Sequence, residues 1–180
     1  MTTHARAFAL CAALVCGMTS CEKAEQTFSE LPARFVETNL IACPPLYTAV
    51  NNMGQWCTIQ AGNNTYIAKG ASQSIERPLT AMTNYQGMYL GIAGLIIGLP
   101  NIPDTGNDLP TLKCYDLACP NCYAESHIGR ALTVAFDRGT ATCGRCSRVY
   151  NLNSIGESGE GDRLERYKVS CNGQQLVVSN

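Results

Sequence analysis

The strongest constraint on this chain is a pair of short cysteine motifs, Cys119-Pro-Asn-Cys122 and Cys143-Gly-Arg-Cys146, which together read C-x2-C-x20-C-x2-C. Two residues between thiolates let one tight turn aim both sulfurs at a single point. Two such turns facing each other complete a tetrahedron, with metal–sulfur distances of about 2.3 Å for zinc. The spacing matches the range expected of zinc ribbons. Pro120 should stiffen the first turn, and Gly144 should let backbone N–H groups approach sulfur. Ala131-Leu-Thr-Val-Ala-Phe136 reads as a strand, and Asp137-Arg-Gly139 turns it back so that the two motifs meet.

Disulfide bonding is the competing use of the same thiols, because an exported chain meets an oxidising compartment. A bond within a C-x2-C turn is usually a strained redox pair, so two facing pairs are better explained by shared coordination. Thiol–disulfide exchange of the thioredoxin type is the enzymatic alternative. It requires the pair to open a helix, which lowers the thiolate pKa, and neither motif is followed by a helical apolar period. Of the eleven cysteines, Cys43, Cys57, Cys114 and Cys171 stay unassigned, either as two structural disulfides or as small buried apolar residues. Cys11 and Cys16 belong to the leader.

That leader is the second clear feature. His4 and Arg6 precede an apolar run, residues 7–16, followed by small residues. This is the pattern of a secretory signal, too short to span a bilayer alone. It ends in Met18-Thr-Ser-Cys21, which resembles a bacterial lipobox, with Met in place of the usual Leu. The resemblance implies cleavage after residue 20, thioether lipidation of Cys21 and a membrane-anchored protein of the cell envelope. An ordinary signal peptide with Cys21 incidental is the plainer alternative. Residues 21–32 read as the lipidated cysteine and a polar tether.

The mature chain, residues 33–180, has no internal repeat and no sustained 3.6-residue apolar period, and its scattered Gly, Asn, Thr and Ser suit short strands joined by turns. The expected fold class is all-β. Strands are expected at 33–41, at 55–59 and 65–68 as a hairpin, at 112–117, 131–136 and 148–152, and as a closing hairpin around Asn172-Gly173. Residues 87–102 are the most apolar stretch. Roughly 20 apolar residues are needed to cross a membrane, so this glycine-broken run reads as two buried strands around a tight turn. Residues 155–162 read as a flexible surface loop. A net charge of −1 with 15% charged residues offers no basic stripe for nucleic acid. His127 reads as a surface histidine. With no second histidine in the mature chain and no Ser-His-Asp or paired-carboxylate grouping, no hydrolytic or acid–base role is expected.

Larger pieces of the chain are similar to a known group. The run Gly87-Met-Tyr-Leu-Gly-Ile-Ala-Gly-Leu-Ile-Ile-Gly-Leu-Pro100 is followed by Cys114-Tyr-Asp-Leu-Ala-Cys-Pro-Asn-Cys122. Then come Cys143-Gly-Arg-Cys146-x3-Tyr150-Asn-Leu152, Gly159-Glu-Gly161 and the Tyr167 to Val178 hairpin. Together they resemble Rieske-like lipoproteins of anaerobic gut bacteria. The resemblance implies a Rieske-like antiparallel β-sandwich or barrel with a rubredoxin-like or zinc-ribbon-like subdomain inserted at roughly 113–152. The chain departs from the Rieske pattern where it matters chemically. A Rieske centre uses two cysteines and two histidines, and the histidine positions are Asn121 and Cys146 here. Four thiolates fit zinc first, then rubredoxin-like iron, then an all-thiolate [2Fe–2S] centre. The expected roles follow in the same order: a non-catalytic binding or scaffold module, an electron-transfer protein, a thiol–disulfide oxidoreductase.

Overall fold

The computed structural model describes residues 28–81, 87–104 and 107–180. The leader and Cys21 lie outside the described residues. Among these, the chain is mostly β, with two antiparallel sheets. The strands are β1 (Ala33–Glu37), β2 (Gln55–Ala61), β3 (Thr65–Lys69), β4 (Ser74–Pro78), β5 (Tyr89–Leu90), β6 (Leu95–Leu99), β7 (Lys113–Asp116), β8 (Thr133–Ala135), β9 (Thr140–Thr142), β10 (Val149–Asn151), β11 (Glu157–Ser158), β12 (Arg166–Cys171) and β13 (Leu176–Ser179). The larger sheet runs β4-β3-β2-β6-β7-β12-β13-β1-β5 and the smaller β11-β10-β9-β8. The large sheet curls until its last strand, β5, comes against β2.

The smaller sheet is inserted between β7 and β12, and strand alternation explains how it is held. Paired residues share a face of the sheet. One row across β2, β6, β7 and β12 is Cys57, Ile97, Cys114 and Tyr167; the next is Thr58, Ile96, Tyr115 and Arg166. The first row faces a core inside the curl, with Phe35, Leu46, Ile59 and Leu95. On the outer face, Trp56, Ile96 and Tyr115 form a second core with the insert. The unbroken apolar run of β6 follows from this, because a strand buried on both faces has no polar side to alternate with. Gly98 lets the Trp56 ring lie across β6, since a Cβ there would sit 2.6 Å from the ring.

Residues 87–102 form β5 and β6 around a turn at Gly91, as expected, and no described helix is long and apolar enough to cross a membrane. Two helices were not legible in the sequence. The helix α1 (Pro44–Asn51) follows a 3₁₀ turn, Leu40–Ala42, so the first strand stops at Glu37 instead of reaching residue 41. The second, α2 (Pro120–Ser126), starts inside the first cysteine motif. Both begin with proline, whose fixed φ suits the first helical position and whose missing N–H has no partner there anyway. At seven or eight residues they are too short to display a period. Residues 28–32, read as part of the tether, are held against the fold, whereas residues 21–27 lie outside the described residues. Ser29 N donates to Arg166 O at 2.7 Å, and Arg166 and Lys168 lie over the Phe28 ring, so the chain is docked on β12 from Phe28 onward.

Candidate metal centre

Four side chains converge between the first helix turn of the insert and the hairpin that follows. The Sγ atoms of Cys119, Cys122, Cys143 and Cys146 all lie within 4.8 Å of one another. Cys119 faces Cys146 at 3.6 Å, and Cys122 faces Cys143 at 3.6 Å. A tetrahedron with metal–sulfur bonds of about 2.3 Å has edges of about 3.8 Å, so these separations fit one ion. Cys119, Cys122 and Cys143 are buried and Cys146 is half-buried.

Each motif folds for local reasons. In the first, Cys119 caps α2, Pro120 is its first residue, and Tyr123 N donates to Cys119 O at 3.0 Å. The helix ends on His127, which adopts φ 53° and is exposed, edge-on to Tyr123. His127 does not join the four thiols. In the second motif, Cys143 N donates to Arg148 O at 2.9 Å and Ser147 N donates to Cys143 O at 3.0 Å. Ser147 takes the left-handed conformation, φ 60°. Gly144 does not have the special part expected of it, because a Cβ there would meet nothing within 4 Å.

The electrostatics repeat across the two motifs. The N–H of Cys122 points at the Cys119 sulfur, and the N–H of Cys146 points at the Cys143 sulfur. Burial raises the Cys119 thiol despite the Tyr150 hydroxyl beside it. Burial and then the adjoining thiols push Cys122 up to about 12. Cys143 goes the other way: burial opposes ionisation, but the N–H groups of Cys146 and Arg145 bring it down to about 7. Tyr150 is fully buried, and its hydroxyl lies 3.4 Å from the Cys119 sulfur.

Three groups that hold the centre were not singled out by sequence. Asp116, fully buried, accepts from Ala118 N at 2.7 Å, Ile92 N at 2.7 Å, Ala93 N at 3.3 Å and Tyr167 Oη at 2.7 Å, so one carboxylate ties the β5–β6 turn to the entry of the first motif. Arg148 forms ion pairs with Glu160 at 2.6 Å and Asp162 at 2.9 Å, fastening the second motif to residues 157–162. That segment is therefore tied down, with β11 paired to β10, and is not the free loop expected. Lys113, buried on β7, pairs with Asp104 and donates to Ser154 O at 3.0 Å. A lone Asp, Arg or Lys gives no signal in sequence until its partners are known.

The eight described cysteines are free thiols. Cys43, Cys57 and Cys114 are buried in the inner core, while Cys171 is exposed. Cys57 and Cys114 both pair with Ile97 from opposite sides. They are two strand spacings apart, about 10 Å, too far for a disulfide. Cys57 and Cys114 are therefore not partners of one another, whereas Cys43 lies close enough to Cys57 to help raise its thiol, after burial. No known family model, curated protein or solved structure matches the chain.

Proposed function

We propose that this chain is an exported, lipid-anchored, Rieske-like β protein whose inserted subdomain holds one zinc ion between Cys119, Cys122, Cys143 and Cys146, in a non-catalytic binding or scaffold role. The observation that carries the metal reading is the enclosure of four sulfurs within 4.8 Å, the dimension of a single tetrahedral ion. Zinc is preferred because a closed four-thiolate site with no open position is the pattern of structural zinc. In that arrangement Cys119 and Cys143 each accept an N–H from within their own motif, and Tyr150 adds a hydroxyl to Cys119. A bound zinc supplies cross-linking of the two motifs and no redox chemistry.

The insertion of a small sheet, with the four cysteines beside it, between two strands of a larger antiparallel unit supports the Rieske-like assignment. The lipid anchor rests on the Met18-Thr-Ser-Cys21 sequence.

Electron transfer with rubredoxin-like iron at the same sulfurs is the second reading. Half-buried Cys146 favours it, because it brings one ligand toward solvent. Thiol–disulfide exchange gains one point, since Cys119 does open a helix. It loses another, since at that helix the Cys119 thiol is raised rather than lowered, opposite to the activation such a nucleophile needs, while Cys143, brought down to about 7, opens no helix.

Elemental analysis of anaerobically purified protein tests the proposal. One zinc per chain and a colourless sample are expected. Stoichiometric iron with visible absorbance would move the site to electron transfer, and no stoichiometric metal would end both readings. Labelling with a palmitate analogue tests the anchor, and an unlabelled Cys21 protein would refute it.

A further inference from the structure

Two sulfur pairs that lie 3.6 Å apart run across the two motifs, Cys119 with Cys146 and Cys122 with Cys143. We infer that the centre has a second covalent state, in which small-molecule disulfides displace the metal and leave two bridges between the motifs, Cys119–Cys146 and Cys122–Cys143. This deepens the metal-centre reading and rests on it. Each facing pair needs to close by about 1.5 Å to reach the S–S bond length of about 2.05 Å. The bridges would span 27 and 21 positions of sequence. Long rings restrict the unfolded chain far more than the rings of the two C-x2-C turns. The two bridges would therefore replace the ion as fasteners of the insert, and the second core around Trp56 would stay intact.

The exchange balances as follows. Four cysteine thiolates release one divalent ion and give up four electrons as two S–S bonds form. Two equivalents of a small disulfide, such as oxidised glutathione, accept the electrons. Their S–S bonds break, and with four protons from water they leave as four thiols. Attack proceeds through a mixed disulfide that the facing cysteine resolves. Half-buried Cys146 is the ligand that an incoming disulfide reaches first.

The test uses the mature chain with Cys171→Ser, which removes the exposed thiol, purified with its metal and treated with oxidised glutathione. Free thiols and released metal are counted, and the product is alkylated and digested with trypsin. Cleavage at Lys113, Arg130, Arg138, Arg145 and Arg148 puts Cys119 and Cys122, with alkylated Cys114, in peptide 114–130, Cys143 in 139–145 and Cys146 in 146–148. The expected result is loss of four thiols, release of one ion per chain, and peptide 114–130 bridged to both of the others. Fragmentation of that species should place Cys119 with Cys146 and Cys122 with Cys143. The oxidised chain should keep the blue-shifted emission of buried Trp56, its only tryptophan. A metal-loaded chain that forms 119–122 and 143–146 bonds, forms the opposite cross-pairing, stops at glutathione adducts or keeps its thiols overturns the inference. A chain that purifies without metal and still forms the facing bridges overturns the metal reading instead.

Discussion

Replacing Tyr150 with phenylalanine removes one oxygen from the metal centre and leaves the ring. Tyr150 is fully buried in the second core with Trp56, Tyr115 and three of the four cysteines, and its hydroxyl lies 3.4 Å from the Cys119 sulfur. A hydrogen bond to a charged acceptor contributes about 1.5–3 kcal/mol. Phenylalanine fills the same space, so no cavity cost is added, and the loss falls on the thiolate form that binds metal. The expected effect of Tyr150→Phe is a rise in the zinc dissociation constant of about tenfold to hundredfold. Competition against a chromophoric chelator measures it, with Trp56 emission reporting whether the core is intact. An unchanged affinity in a folded variant would show that the hydroxyl does not stabilise the thiolate. A large loss of stability without metal would show that it acts only through packing.

Further outcomes follow from the same contacts. Gly91→Ala should destabilise the protein by at least about 2 kcal/mol and weaken metal binding, because Gly91 has φ +67° and a Cβ would collide with the Asp116 carboxylate and the Tyr167 hydroxyl; thermal unfolding checks it. Zinc binding at pH 7 should release at least two protons, since burial holds Cys119 above the ordinary thiol value and Cys122 at about 12, and metal binds only thiolates. Calorimetry in buffers of different ionisation enthalpy measures the number, and fewer than two contradicts the assignment. Burial opposes ionisation of Asp104, but its bonds to Lys113 and Thr111 leave its pKa below the ordinary carboxylate value. A depressed carboxylate stabilises the fold above its unfolded pKa, and that contribution disappears as pH falls through the folded value. Asp104→Asn should therefore cost up to about 3 kcal/mol near neutrality, with the difference from the parent chain narrowing as pH falls below the ordinary carboxylate value.

The cysteine spacing carried the centre into view because it is a local signal: two residues between sulfurs already dictate a turn. The closing hairpin was equally legible, with β12 and β13 pairing around Asn172-Gly173. Helix α2 was hidden inside the same motif because only one of its seven residues, Cys122, is buried, and a single buried position has no period. The curled order of the large sheet depends on pairings such as β6 with β7 and β1 with β13, which join segments that no local pattern relates. The supports of the centre are non-local for the same reason. Asp116 meets Tyr167 across 51 positions, and Lys113 meets Ser154 across 41. Chemistry is written in short motifs, while the second layer that orients it is assembled only by the fold.

X-ray absorption at the edge of the bound metal addresses the central claim most directly. The account predicts a single shell of four sulfur neighbours at about 2.3 Å and no metal–metal scattering. A nitrogen or oxygen neighbour in the first shell, or a second metal nearby, would contradict it.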